Sequence, residues 1–106
     1  MSNNNACLVC LGSNEEGEIH LTNARNALSR IFGQVDFGKP IVTKAEGTLV
    51  QPDYWNQAAS FVTELSNEEV NAVLKRIEKE NGRTPQDKLQ GRVPLDIDLL
   101  VYDRKI

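Results

Sequence analysis

Ser66-Asn67-Glu68-Glu69-Val70-Asn71-Ala72-Val73-Leu74-Lys75-Arg76-Ile77 opens with a serine followed three residues later by a glutamate. That spacing is a capping box, in which each side chain satisfies the other residue's otherwise unpaired amide. Val70, Val73, Leu74 and Ile77 then fall at i, i+3, i+4 and i+7, the apolar stripe of an amphipathic helix. Asn81-Gly82 closes the helix. Upstream, Tyr54 to Leu65 reads as a strand. Downstream, a polar loop from Arg83 to Pro94 leads into a strand from Leu95 to Tyr102.

The preceding half has the same order of elements without any sequence repeat. Ala6 to Leu11 is almost wholly apolar and suits a central strand covered on both faces. Gly12-Ser13-Asn14-Glu15-Glu16-Gly17 is turn chemistry. A helix follows with Leu21, Ala24, Leu28 and Ile31 on one face, and Gly33 is its terminator. Val35 to Lys44 is a second strand in which Pro40 implies an edge or a bulge. Ala45 to Asp53 is a loop. The expected fold is α+β, β-α-β-β-α-β, the ferredoxin-like pattern of a four-stranded antiparallel sheet with two helices on one face.

The chain has 106 residues, enough for one domain spanning 1–106, with residues 1–5 as a frayed end. Twelve Lys and Arg against fifteen Asp and Glu give a net charge of −3, which argues against a nucleic-acid grip built on clustered positive charge. RNA-recognition modules share this element order but carry aromatic platforms on their central strands. Here Ala6–Leu11 has no aromatic residue and the interior of Tyr54–Leu65 has only Phe61. No apolar run is long enough for a membrane helix, and the N-terminus lacks the basic start of a secretory signal. Cys7 and Cys10 form a CxxC, yet on a strand they point to opposite faces. They read as reduced thiols, and the expected compartment is the cytoplasm. The uncovered sheet face and edge leave a homodimer open.

Leu95-Asp96-Ile97-Asp98-Leu99 carries the chemistry. Strand alternation sends Asp96 and Asp98 to one face and the apolar residues to the other. Their Cα atoms are then about 6.5–7 Å apart, so both carboxylates can lean toward one hard divalent cation or two. A solvated face is the plain alternative for such a strand. Leu100, the next residue on the aspartate face, points instead to a face that is not simply open to water.

Four ordered segments together resemble the 6-hydroxymethyl-7,8-dihydropterin pyrophosphokinase family of folate biosynthesis. They are Leu11-Gly12-Ser13-Asn14, Gln51-Pro52-Asp53-Tyr54-Trp55-Asn56, Arg76-Ile77-Glu78 before Gly82-Arg83, and Leu95-Asp96-Ile97-Asp98-Leu99-Leu100. The resemblance runs from Ala6 to Tyr102 and implies a ferredoxin-like core. It implies transfer of the pyrophosphoryl group of ATP to the hydroxymethyl group of a reduced pterin, releasing AMP. It further implies two Mg²⁺ ions on Asp96 and Asp98, Tyr54 stacked on the pterin, Asn56 hydrogen-bonded to it, and Glu78 on the nucleotide side.

The family's last-strand pattern, Gly-Pro-Arg-x-x-Asp-x-Asp, stands here as Gly91-Arg92-Val93-Pro94-Leu95-Asp96-Ile97-Asp98. Arg92, the catalytic candidate, is thus one place further from the aspartates, with Val93 in its slot. Arg83 and Lys88 are the neighbouring loop cations. The family's Pro/Gly-rich loop between strands two and three is represented by Ala45 to Val50. Members of the family also continue beyond the last strand with a segment that binds ATP and supplies a second aromatic face. In this chain, that face is left to Trp55 or to a second subunit. The second reading is a non-catalytic module on the same scaffold that holds Mg-nucleotide, pterin or a protein.

Overall fold

A computed structural model describes residues 4–44, 53–87 and 91–103. The elements are β1 (Asn5–Ser13), α1 (Gly17–Phe32), β2 (Val35–Phe37), β3 (Ile41–Thr43), β4 (Tyr54–Thr63), α2 (Asn67–Glu80) and β5 (Asp96–Tyr102). The strands form one sheet of order β2-β4-β1-β5, with β3 also pairing β4, and every pairing is antiparallel.

The sheet has five strands where four are expected. The single strand expected over Val35–Lys44 is broken at Gly38-Lys39-Pro40 into β2 and β3. Both halves lie along β4, Val35–Phe37 against Ala59–Phe61 and Ile41–Thr43 against Tyr54–Asn56. Proline has no amide to give a ladder, which is why the break falls where it does. Gln57 bridges the break from β4: its Nε2 donates to the Gly38 carbonyl at 2.7 Å, while its Oε1 accepts from Arg25 Nη1 at 2.9 Å.

One face of the sheet makes the core. Cys7, Val9 and Leu11 from β1, Ala59 and Phe61 from β4, and Ile97 from β5 pack with Leu21, Ala24, Ala27 and Leu28 of α1 and Val70, Leu74 and Ile77 of α2. The cysteines lie on opposite faces as alternation requires, Cys7 in the core and Cys10 half-exposed on the other side. The face expected for α1 holds at Leu21, Ala24 and Leu28, but Ile31 is 40% exposed in the last turn. Phe32 takes up the packing there, stacked on Phe61 with ring centroids 4.0 Å apart. No helix of the described residues is long and apolar enough to cross a membrane.

The face away from the helices carries exposed apolar side chains among the described residues. Leu100, expected to mark a protected aspartate face, is 45% exposed, and Leu8 and Val62 are exposed on the same sheet. The pairing of β1 with β5 shifts register between Leu8 and Val9: Leu8 opposes Val101, whereas Val9 opposes Leu99. One extra residue of β5 is thus accommodated between Leu99 and Val101, a bulge just past the aspartates.

The capping box of α2 is formed in full. The Ser66 hydroxyl accepts the Glu69 amide at 3.1 Å, and Glu69 Oε1 accepts the Ser66 amide at 3.0 Å. These bonds hold the Glu69 carboxyl below its ordinary range. Replacing Ser66 with alanine removes one half of the box. The expected loss is about 1 kcal/mol of stability, measured by urea denaturation, with no change in the m-value.

Candidate functional site

The register of β4, β1 and β5 assembles the candidate site on the face away from the helices. Gly12 of β1 pairs with Asn56 on one side and Asp96 on the other. One step along, Cys10 pairs with Ala58 and with Asp98. Asn56, Asp96 and Asp98, far apart in sequence, thus stand on one patch of sheet.

Gly12 has a geometric reason to be glycine. A Cβ there would lie 2.5 Å from the Tyr54 hydroxyl and 2.9 Å from Cε1 of its ring. The phenol of Tyr54 therefore occupies the space that any other residue at position 12 would fill, across β1 and toward the aspartates. Burial raises the Tyr54 pKa, and the nearby charges of Asp96 and Asp98 raise it further, so the phenol stays protonated as a donor. Trp55, the next residue, belongs to the opposite face and packs against Gly17 at the start of α1 so tightly that a Cβ at Gly17 would collide with the indole. The expectation that Trp55 could give Tyr54 a stacking partner fails on this alternation.

Glu78 sits behind the strand. Its side chain is 3% exposed, and Oε2 accepts the Ile97 amide at 2.7 Å. Burial raises its pKa, and the Ile97 amide, Arg83 and Lys75 oppose that rise. Arg83 Nη1 lies 3.4 Å from Glu78 Oε2, 2.6 Å from Asp96 Oδ1 and 3.3 Å from the Leu95 carbonyl. Arg83 is thus no plain loop residue. It is the cation that links the buried carboxylate to the first aspartate.

Asp98 is the more exposed member of the pair. Its pKa is raised by burial first, then by the charge of Asp96 and a hydrogen bond to it. Cys10 beside them is likewise raised, by burial and then by Asp98 and Asp96. A carboxylate whose ionisation is opposed in this way is relieved by a proton or by a cation.

Arg92 turns elsewhere. Its Nε is ion-paired with Glu15, and its Nη1 lies 3.2 Å from Asp87 Oδ1. Asp87 is itself buried, accepting the Thr84 amide at 2.6 Å and the Thr84 hydroxyl at 2.9 Å. Asn14 secures the same loop from β1: its amide N–H donates to the Val93 carbonyl at 2.8 Å and its Oδ1 accepts the Val93 amide at 2.6 Å. Its Nδ2 donates to the Gly91 carbonyl at 2.9 Å. The contacts by which Asn14, Glu15, Thr84 and Asp87 hold this loop were not foreseen from the sequence. The only available signal was the density of turn-forming residues in two segments, and nothing local said that the segments meet. Lys88 and the segment 45–52, with Gln51 and Pro52, lie outside the described residues.

Replacing Gly12 with alanine should displace the Tyr54 phenol while leaving the sheet intact, seen as a changed near-ultraviolet circular dichroism spectrum with an unchanged far-ultraviolet one. Asp98→Asn carries a pH signature. The raised folded-state pKa of Asp98 means that its ionisation costs stability above that pKa and nothing below the unfolded value. The variant should therefore melt at a higher temperature than the wild type at pH 7, and the gain should vanish on acidification through the carboxylate range.

A family model described as 7,8-dihydro-6-hydroxymethylpterin-pyrophosphokinase matches residues 8–106. A 2-amino-4-hydroxy-6-hydroxymethyldihydropteridine pyrophosphokinase of Haemophilus influenzae is 35% identical over 101 residues, covering 92% of this chain and 62% of that protein. Folate synthesis bifunctional proteins of Arabidopsis thaliana and Pisum sativum are 44% and 43% identical over 54 residues, 51% of this chain and 11% and 10% of theirs. The chain thus spans less than two-thirds of the length of these relatives. The match covers all seven elements from within β1 onward, and the chain belongs to the 7,8-dihydro-6-hydroxymethylpterin-pyrophosphokinase family.

Proposed function

We propose that this protein transfers the pyrophosphoryl group of ATP to the hydroxymethyl group of a reduced pterin, a step of folate synthesis, with Mg²⁺ as cofactor. The observation that carries this reading is the convergence of Tyr54, Asn56, Asp96 and Asp98 on one patch of sheet around Gly12. An aromatic ring with an amide beside it suits a flat, hydrogen-bonding heterocycle. A carboxylate pair beside that subsite suits a hard cation that takes its other ligands from water and phosphate.

The donor set fits Mg²⁺. Two carboxylates two residues apart on β5 are hard oxygen donors, and Mg²⁺ completes its shell from water and phosphate. Asp96 and Asp98 would hold the metal, which when bound supplies neutralisation of the charge spreading over the transferred phosphoryl oxygens. Tyr54 and Asn56 bind and orient the pterin. Its hydroxymethyl oxygen forms a bond to the β-phosphorus while the bond from that phosphorus to the α,β-bridging oxygen breaks, so AMP leaves and the hydroxyl proton passes to solvent. Arg83, beside Asp96, adds positive charge on the phosphate side. Glu78 holds Arg83 and β5 in place.

The second reading, a binding module without turnover, is favoured by Arg92, whose guanidinium is taken up by Glu15 and Asp87. The two readings separate in one assay. AMP formation from ATP and the reduced pterin, lost by about 10²–10³-fold in Asp96→Asn, is the expected result. No AMP above blank, together with calorimetric binding of Mg²⁺ and a non-hydrolysable ATP analogue, would establish the module instead.

A further inference from the structure

Arg83 already sets a positive charge against the first aspartate. Its Nη1 is 2.6 Å from Asp96 Oδ1, the shortest of its contacts, and 3.4 Å from Glu78 Oε2. The charge-assisted bond to Asp96 is of the strong class, because both partners are ionised. The same guanidinium borders a shallow groove of about 380 Å³ lined by Lys75, Glu78, Lys79, Thr84 and Pro85. Lys75 is 70% exposed, so this groove has a cationic rim outside the aspartate pair. Arg83 thus touches both the Asp96 carboxylate and a groove whose other charged groups are Lys75, Lys79 and Glu78.

We infer that Arg83 is an electrostatic stand-in for the divalent cation, held on Asp96 until metal displaces it toward the polyphosphate of the nucleotide. The inference rests on the assignment of Asp96 and Asp98 as metal ligands. Its consequence is an order of events. Arg83 opposes binding of metal alone, because the incoming cation must break the contact to Asp96. It assists binding of metal together with nucleotide, because the released guanidinium then meets an anion. By linkage, nucleotide and metal each raise the other's affinity. Glu78 keeps the guanidinium near in both arrangements, since a buried carboxylate cannot lose its counter-charge cheaply.

Mn²⁺ binding followed by electron paramagnetic resonance tests this in the intact chain without any turnover. Arg83→Gln should bind Mn²⁺ alone more tightly than the wild type, by roughly three- to thirtyfold for the loss of one partly exposed charge-assisted contact. The same variant should bind Mn²⁺ with a non-hydrolysable ATP analogue more weakly. Equal and measurable Mn²⁺ affinity in the two proteins would overturn the exchange and leave the metal site standing. Failure of both to bind Mn²⁺ would overturn the metal assignment and the exchange with it. If Arg83→Gln does not fold, Mg²⁺ titration of the wild type read on the Arg83 side-chain nuclear magnetic resonance signals decides. Movement of those signals supports displacement, and signals that stay fixed while Asp96 and Asp98 shift refute it.

Discussion

A carboxylate that has been taken almost wholly out of water must be met by donors, and the way Glu78 is met organises this molecule. Desolvating a charge costs several kcal/mol, about the scale of a small domain's whole stability, unless partners offset it. One Glu78 oxygen accepts the Ile97 amide, and the other faces Lys75. β5 is the end strand of the sheet order, so the Ile97 bond ties the strand's amide edge to α2. The Arg83 contact then sets a cation beside Asp96. One buried side chain thereby fixes the strand that carries the aspartates and the charge that faces them.

The other side of the site depends on an absence. With Gly12 between Asn56 and Asp96 in the register, the middle of the patch has no side chain of its own. Tyr54 fills it, reaching across from β4. The row around Gly12 also sets these side chains in order: the Asn56 amide, the Tyr54 phenol, the Asp96 carboxylate, then Asp98 one step along beside Cys10.

Features that depend on near neighbours were legible in the sequence. The capping box and the stripe Val70, Leu74, Ile77 are local and stand as read, and period-two alternation correctly parted Cys7 from Cys10 and Asp96 from Ile97. Features that depend on pairing were not. The break at Gly38–Pro40 needs β4 as a template before it becomes two strands. The bulge after Leu99 exists only against Leu8 and Val9 of β1, and no local pattern signals it. The contacts of Asn14 with Gly91 and Val93, and of Glu15 with Arg92, join residues 77 to 79 positions apart and leave no periodic trace.

Those long-range contacts also explain how the cations are distributed. Asn14 grips Val93 through both its backbone and its side chain, so position 93 is locked against the end of β1. With Val93 fixed there, the neighbouring Arg92 meets Glu15 and Asp87, each already placed by the turn after β1 and by Thr84. A guanidinium in two ion pairs has little reason to leave them for a phosphate in water. Arg83 is likewise held by two carboxylates, Asp96 at 2.6 Å and Glu78 at 3.4 Å, and by the Leu95 carbonyl. Arg83, three residues past α2, thus faces the first aspartate, while Arg92, nearer in sequence to the pair, is tied to the turn after β1 and to Asp87.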